Sequence, residues 1–171
     1  PSKMTANTIR ITDLEAPVHS EAAQAAFAMV EQVPFELSSK AIVDGAREEC
    51  DVPLFEDPEW HDRLERYVQA VLADSNYTRM GQFGTFQSLK RYLIQRSRLE
   101  ALYQEHPEID EIEIERPLII AGLPRSGTSH LLNLIGADSR LRALRRWESL
   151  EPIPSRAARL GEVPDDRIAN G

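Results

Sequence analysis

The chain has 171 residues, 42% of them apolar and 28% charged, enough for one domain with a real core and too apolar for disorder throughout. A formal net charge of −8 excludes a general nucleic-acid-binding surface, which needs clustered Lys and Arg, so any anion site must be local. The single cysteine, Cys50, cannot form an intrachain disulfide, no apolar run approaches the roughly 20 residues that span a bilayer, and no basic-then-apolar leader opens the chain, so a cytoplasmic location is expected.

In chain order, Ser20 can cap a helix carrying Ala23, Phe27 and Val30, and Ser38 a second carrying Ile42 and Ala46. A third is clearer. Asp57 can cap it, Pro58 suits the first helical position, where a missing N–H costs nothing, and Trp60, Leu64, Tyr67, Val68, Val71 and Leu72 recur on one face. Residues 75–85, with Gly81 and Gly84, interrupt the pattern and predict a loop. A long helix follows, with Leu89, Tyr92, Leu93, Leu99, Leu102 and Tyr103 at helical spacing, Arg91, Arg96 and Arg98 on a wet edge, and Pro107 as its stop.

From Glu108 the pattern changes. Acidic residues alternate with Ile109, Ile112 and Ile114, which predicts a half-exposed strand, and Leu118 to Ala121 predict a strand covered on both faces. The acids read as a solvated edge. After a Gly-containing turn, Thr128 to Ile135 should be helical, and 138–154 reads as a short basic helix closed by Pro152 and Pro154. The tail from Ser155 is polar and weakly patterned. The expected fold class is α/β, a P-loop nucleotide-binding fold with a parallel sheet: residues 1–107 form a helical region, and 108–171 supply the first strand, the loop and its helices. A buried parallel strand needs neighbours, and no other convincing strand is present. Further strands would therefore lie beyond Gly171, or a second chain, as in a homo-oligomer, would supply them.

The loop carries the chemistry. A strand turning sharply into a helix leaves several backbone N–H groups aimed at one spot, with the positive end of the helix dipole behind them. Gly127 lets the backbone approach an oxygen closely, Ser126, Thr128 and Ser129 add hydroxyls, and Arg125 adds a guanidinium fork. The spacing from Gly122 to Gly127 matches the start of the triphosphate signature G-x-x-x-x-G-K-[ST], but Thr128 stands in place of the lysine and the positive charge has moved upstream to Arg125. A smaller group, such as one phosphate carrying a transferable sulfuryl group, suits this loop better than a triphosphate. The bland alternative is a simple Gly turn.

The string GLPRSGTS, followed by the WE dipeptide at Trp147 and Glu148 and the P-x-P at Pro152 to Pro154, resembles the bacterial branch of the PAPS-dependent sulfotransferases. The likeness extends upstream to SLKRYLIQRSRLEAL and the HPEI turn. It implies that the loop grips the 5′-phosphosulfate of 3′-phosphoadenosine 5′-phosphosulfate (PAPS), with Arg125 on the phosphosulfate, Ser126, Gly127, Thr128 and Ser129 on the 5′-phosphate, and no metal. The family usually has a second Thr where this chain has Ser129. The Arg and Ser that clasp the 3′-phosphate lie further along in the family and find no match before Gly171, so this chain alone is expected to hold the cofactor poorly.

Glu148 is the candidate base for an acceptor hydroxyl, with Glu151 as alternative; Glu148 could equally pair with Arg145 or Arg142, and Trp147 is more often a packing residue. Arg140, Arg142, Arg145 and Arg146 form the one basic patch. His19, His61, His106 and His130 show no ligand spacing with one another or with Cys50, so no metal site is expected. The acceptor, a small-molecule, lipid or glycan hydroxyl, is not legible. A divergent P-loop kinase or NTPase and a non-catalytic helical interaction module with a vestigial loop remain as alternatives.

Overall fold

A computed structural model describes residues 17–165 and 167. The leader expectation for the amino terminus and the last part of the polar tail lie outside these residues. The order is α1 (Glu21–Gln32), α2 (Ser39–Glu49), α3 (Pro58–Leu72), α4 (Arg79–Glu105), a 3-10 turn (Pro107–Glu111), α5 (Thr128–Gly136), α6 (Arg146–Leu150) and α7 (Arg156–Arg159).

The caps act as the local sequence requires. Ser20 Oγ accepts from Ala23 N at 3.3 Å, Ser38 Oγ from Ala41 N at 3.1 Å, and Asp57 Oδ1 from Glu59 N at 3.0 Å. Each satisfies an N–H that the first turn leaves unpaired. Packing then assembles α2, α3 and α4. Ile42 and Ala46 of α2 are fully buried, and Leu64, Val68, Leu93 and Ile94 close over them, with Leu37 and Val43 completing the cluster. Gly45 permits the close approach of α2 to α4, since a Cβ there would lie 3.3 Å from Lys90 Cδ. Cys50 packs against the same core as a small apolar group. The α1 helix buries only Val30, and its end is held from α4 by Arg79, whose guanidinium donates to the carbonyls of Val33 (2.8 Å) and Phe35 (3.3 Å) and stacks on the Phe35 ring.

Two predicted elements near α4 change. The loop over 75–85 shrinks to a short turn, because Thr78 caps α4 through Gly81 N (3.2 Å) and the helix runs through both glycines. Tyr77 packs on Gly81, where a Cβ would meet its ring at 3.3 Å, and Phe83 and Phe86 pack against Phe35. These contacts offset the roughly 1 kcal/mol that each helical glycine costs.

The larger correction concerns the sheet. Among the described residues there is no strand, so the chain is helical and the α/β P-loop fold with a parallel sheet is overturned. Residues 108–111, read as part of an alternating strand, lie in the 3-10 turn that begins at Pro107. Residues 112–123 carry no regular structure and no ladder partner, and Ile114, Ile119 and Leu123 are 77, 81 and 79% exposed. Arg116 interrupts the run with φ +46° immediately before Pro117, where an extended conformation is preferred. The physical reason is that apolar alternation states only a capacity to pair. Without a neighbour to satisfy its N–H and C=O groups, a segment stays solvated.

The stretch from Ile112 to Leu150 thus leaves α4 and returns to it. Its outgoing end is the 3-10 turn packed on α4. On return, Ile153 is buried and donates its N–H to Gln95 Oε1 at 3.1 Å, Arg159 pairs with Glu105 at 3.0 Å, and Asp51 accepts from both Arg98 Nε (2.8 Å) and the Arg156 N–H. Burial pushes the Asp51 carboxyl up, but the Arg156 N–H and the Arg98 guanidinium together outweigh it and hold the carboxyl below its ordinary range. A lowered carboxyl contributes stability that is present above its unfolded value, about 3.9, and is lost as pH falls through the folded value. Asp51→Ala should therefore cost about 1.5–3 kcal/mol at neutral pH, flatten part of the acid limb of the stability profile, and open residues 151–165 to limited proteolysis. Wild-type protease resistance and an unchanged acid limb in that variant would show that Asp51 does not fasten the returning segment.

Candidate functional site

The loop from Gly122 to Ser129 is built by two backbone reversals. Ser126 N donates to Leu123 O at 3.1 Å, closing a turn with Pro124 second and Arg125 third; Arg125 has φ +66°, the left-handed conformation that a third turn residue of this kind requires. Gly127 follows at φ +90° and serves as the N-cap of α5, with Leu131 N donating to its carbonyl at 3.0 Å. Gly122 has no room for a side chain: a Cβ there would lie 2.7 Å from Ser126 Oγ and 2.9 Å from Thr128 Cγ2. Gly122 therefore lets Ser126 and Thr128 close over the start of the loop.

These contacts bring the predicted anion-binding residues together. Arg125, Ser126, Gly127, Thr128 and Ser129 lie on one tight turn at the amino-terminal end of α5, and no side chain caps the first turn of that helix. The uncapped N–H groups and the helix dipole are a standing anion preference. Arg125 has no ion-pair partner among the described residues, so its guanidinium is free to meet a ligand. All of this is solvent-exposed except Thr128, which is half-buried. The apolar stripe of α5 is exposed as well, Leu131, Leu132 and Leu134 included.

Glu148 sits elsewhere, in the first turn of α6. Its Oε2 accepts from the Arg145 N–H at 2.8 Å and its Oε1 from Arg142 Nη2 at 2.6 Å, so the carboxylate caps α6 and pairs with Arg142 at once. No contact joins it to Arg125 among the described residues. The basic patch divides. Arg140 is bound to Asp138, and its guanidinium holds that carboxyl below the ordinary range, Arg142 is taken by Glu148, and Arg145 and Arg146 are exposed. The helix predicted over 138–154 is confined to Arg146–Leu150, because Asp138 folds 138–140 into a turn by accepting from the Arg140 N–H and side chain. The four histidines do not converge, and among the described residues no group of three or more His, Cys, Asp or Glu could hold a metal ion.

Sequence reasoning missed Arg167. Its guanidinium donates to the carbonyls of Glu151 (2.7 Å) and Pro152 (2.9 Å), pairs with Asp165 and lies 5.0 Å from the Trp147 ring, gathering the WE dipeptide and the P-x-P stretch into one cluster. The only available signal was a lone Arg in a polar tail, and nothing local marks its partners. Trp147 is a packing residue here, clamped by that cation.

Compared with protein-family models, with curated proteins and with solved structures, the chain matches none. Among the described residues no helix is long and apolar enough to cross a membrane.

Proposed function

We propose that the loop from Gly122 to Ser129 binds the 5′-phosphosulfate of PAPS and that the protein takes part in sulfuryl transfer to an acceptor hydroxyl. The observation that carries this reading is the turn itself: an uncapped helix start behind Gly127, hydroxyls at Ser126, Thr128 and Ser129, and an unpaired Arg125 held at positive φ beside them. In the transfer, the acceptor oxygen bonds to sulfur as the bond from sulfur to the bridging phosphate oxygen breaks. The hydroxyl proton passes to a base, for which Glu148 is the candidate, and 3′-phosphoadenosine 5′-phosphate (PAP) departs with the bonding electron pair. Arg125 and the loop N–H groups stabilise the charge that grows on that phosphate. Thr128 in place of a lysine sets this reading ahead of ATP chemistry with Mg²⁺, in which a lysine reaches the β and γ phosphates. A pool of PAPS in the cytoplasm would be the matching location.

The test is titration with PAP and, separately, with ATP plus Mg²⁺, read by calorimetry and thermal unfolding. Arg125→Ala should weaken PAP binding by about 1.5–3 kcal/mol, the worth of a charge-assisted contact, which is about 10- to 150-fold. Arg125→Gly should lose the same affinity yet unfold no lower than the Ala variant, because Gly adopts positive φ without strain. Wild-type PAP affinity in both variants would remove the loop from the site. Mg²⁺-dependent ATP turnover by the unmodified protein would favour a kinase or NTPase, and protection by neither nucleotide would favour an interaction module.

A further inference from the structure

A second concentration of positive charge lies away from the loop. A cleft of about 570 Å³ opens between α4 and the returning segment, and Lys90, Arg91, Arg98 and Arg167 line it, together with Glu49 and Glu151. Three of these cations are already matched: Lys90 by Glu49, Arg98 by Asp51 and Arg167 by Asp165. Arg91 is different. Among the described residues it has no hydrogen bond and no ion pair, its guanidinium lies 5.6 Å from the Tyr92 ring, and its Nε is buried without a partner. The other buried unpartnered donor, Arg159 Nε, belongs to a guanidinium already paired with Glu105.

A buried donor on a charged group is costly to leave unmade, and native interiors pair nearly all of them. A guanidinium presents parallel N–H groups that fit two oxygens of one carboxylate, sulfate or phosphate. The three matched pairs leave Arg91 as the cation able to accept a new partner. We propose that this cleft is a binding site for a small ligand bearing a single anionic oxygen group, bound by the Arg91 side chain and independent of the loop at Gly122 to Ser129.

The test uses thermal unfolding and isothermal titration of the whole chain with sodium sulfate and, separately, sodium acetate, against sodium chloride at equal ionic strength. Chloride controls for screening, and saturation separates a site from the general exclusion effect of sulfate, which rises without limit. Saturable stabilisation by sulfate or acetate is expected in the wild type and in Arg125→Ala, with affinity about 10- to 100-fold weaker in Arg91→Gln. Stabilisation lost in Arg125→Ala and kept in Arg91→Gln would place the anion on the loop and overturn the proposal, as would no saturable effect in the wild type. The Nε–Hε resonance of Arg91 in the wild type gives a reading that needs no variant to fold: it should shift on titration with either anion, and a stationary signal overturns the proposal.

Discussion

Glu148→Gln is expected to lower the proposed sulfuryl transfer about 10²- to 10⁴-fold while leaving PAP affinity nearly unchanged. Glutamine keeps the shape and can still accept from the Arg145 N–H, so the start of α6 should survive; what it loses is the basic lone pair. In the resting protein that lone pair is occupied by Arg142, at 2.6 Å. Release is cheap. Arg142 is 74% exposed, and ion pairs with so exposed a partner contribute at most about 1 kcal/mol, so an acceptor hydroxyl could displace the guanidinium at small cost. Glu151→Gln in the same background should be close to neutral in turnover, because Glu151 engages Arg167 through its backbone carbonyl, which the substitution keeps. Reversed results would move the base to Glu151. Full activity in both would leave Glu148 as the cap of α6 and the ion-pair partner of Arg142, with the base elsewhere.

Leu93→Ala should destabilise the chain by about 2–5 kcal/mol, through lost transfer energy and the cavity left behind. Leu93 is 2% exposed and lies in the cluster that joins α2, α3 and α4. One turn on, Ser97 donates to the Leu93 carbonyl at 2.8 Å and accepts from the Phe55 N–H at 2.9 Å, so a shift of α4 here would also strain the connection between α2 and α3. The companion substitution is Ile119→Ala. In a covered parallel strand it would cost as much as Leu93→Ala, whereas at 81% exposure it should change stability by no more than about 0.5 kcal/mol. Chemical denaturation of the two variants side by side tests the helical architecture directly. A large loss from Ile119→Ala would mean that the segment before the loop is packed after all.

The contrast between those residues marks where sequence reading works. Ser20, Ser38 and Asp57 act within three residues of themselves, and Leu64, Val68 and Leu93 repeat at helical spacing, so these caps and part of the buried faces were legible. By contrast, Phe27, Tyr67, Leu72, Tyr92 and Tyr103, read on the same faces, are exposed, and Arg98, read on a wet edge, is largely buried. The turn at Arg125 and Gly127 was legible for the same reason: its geometry closes within a few residues. Misjudgements occurred where the deciding partner is far along the chain. The helix runs on past Gly84 because Phe83 and Phe86 pack on Phe35, far upstream, whereas the Thr78 cap at Gly81 is local and the sequence reading missed it.

By itself, then, the sequence determined the helices of the amino-terminal region, the caps at Ser20, Ser38 and Asp57, part of the inner faces, and a tight, hydroxyl-rich turn with one arginine at the start of α5. Tertiary structure decided the rest. Strand formation over 112–121 required a neighbouring strand to satisfy its backbone, and no alternation of Ile and Glu can supply one. Docking of the returning segment depended on Asp51 meeting the Arg156 N–H and Gln95 meeting the Ile153 N–H, partners 105 and 58 residues apart. The isolation of Arg91 is likewise a property of the fold. Lys90 and Arg98 on the same helix found carboxylates within reach, and Arg91 did not, because only the packed arrangement of α2, α4 and the returning segment sets which charges face one another.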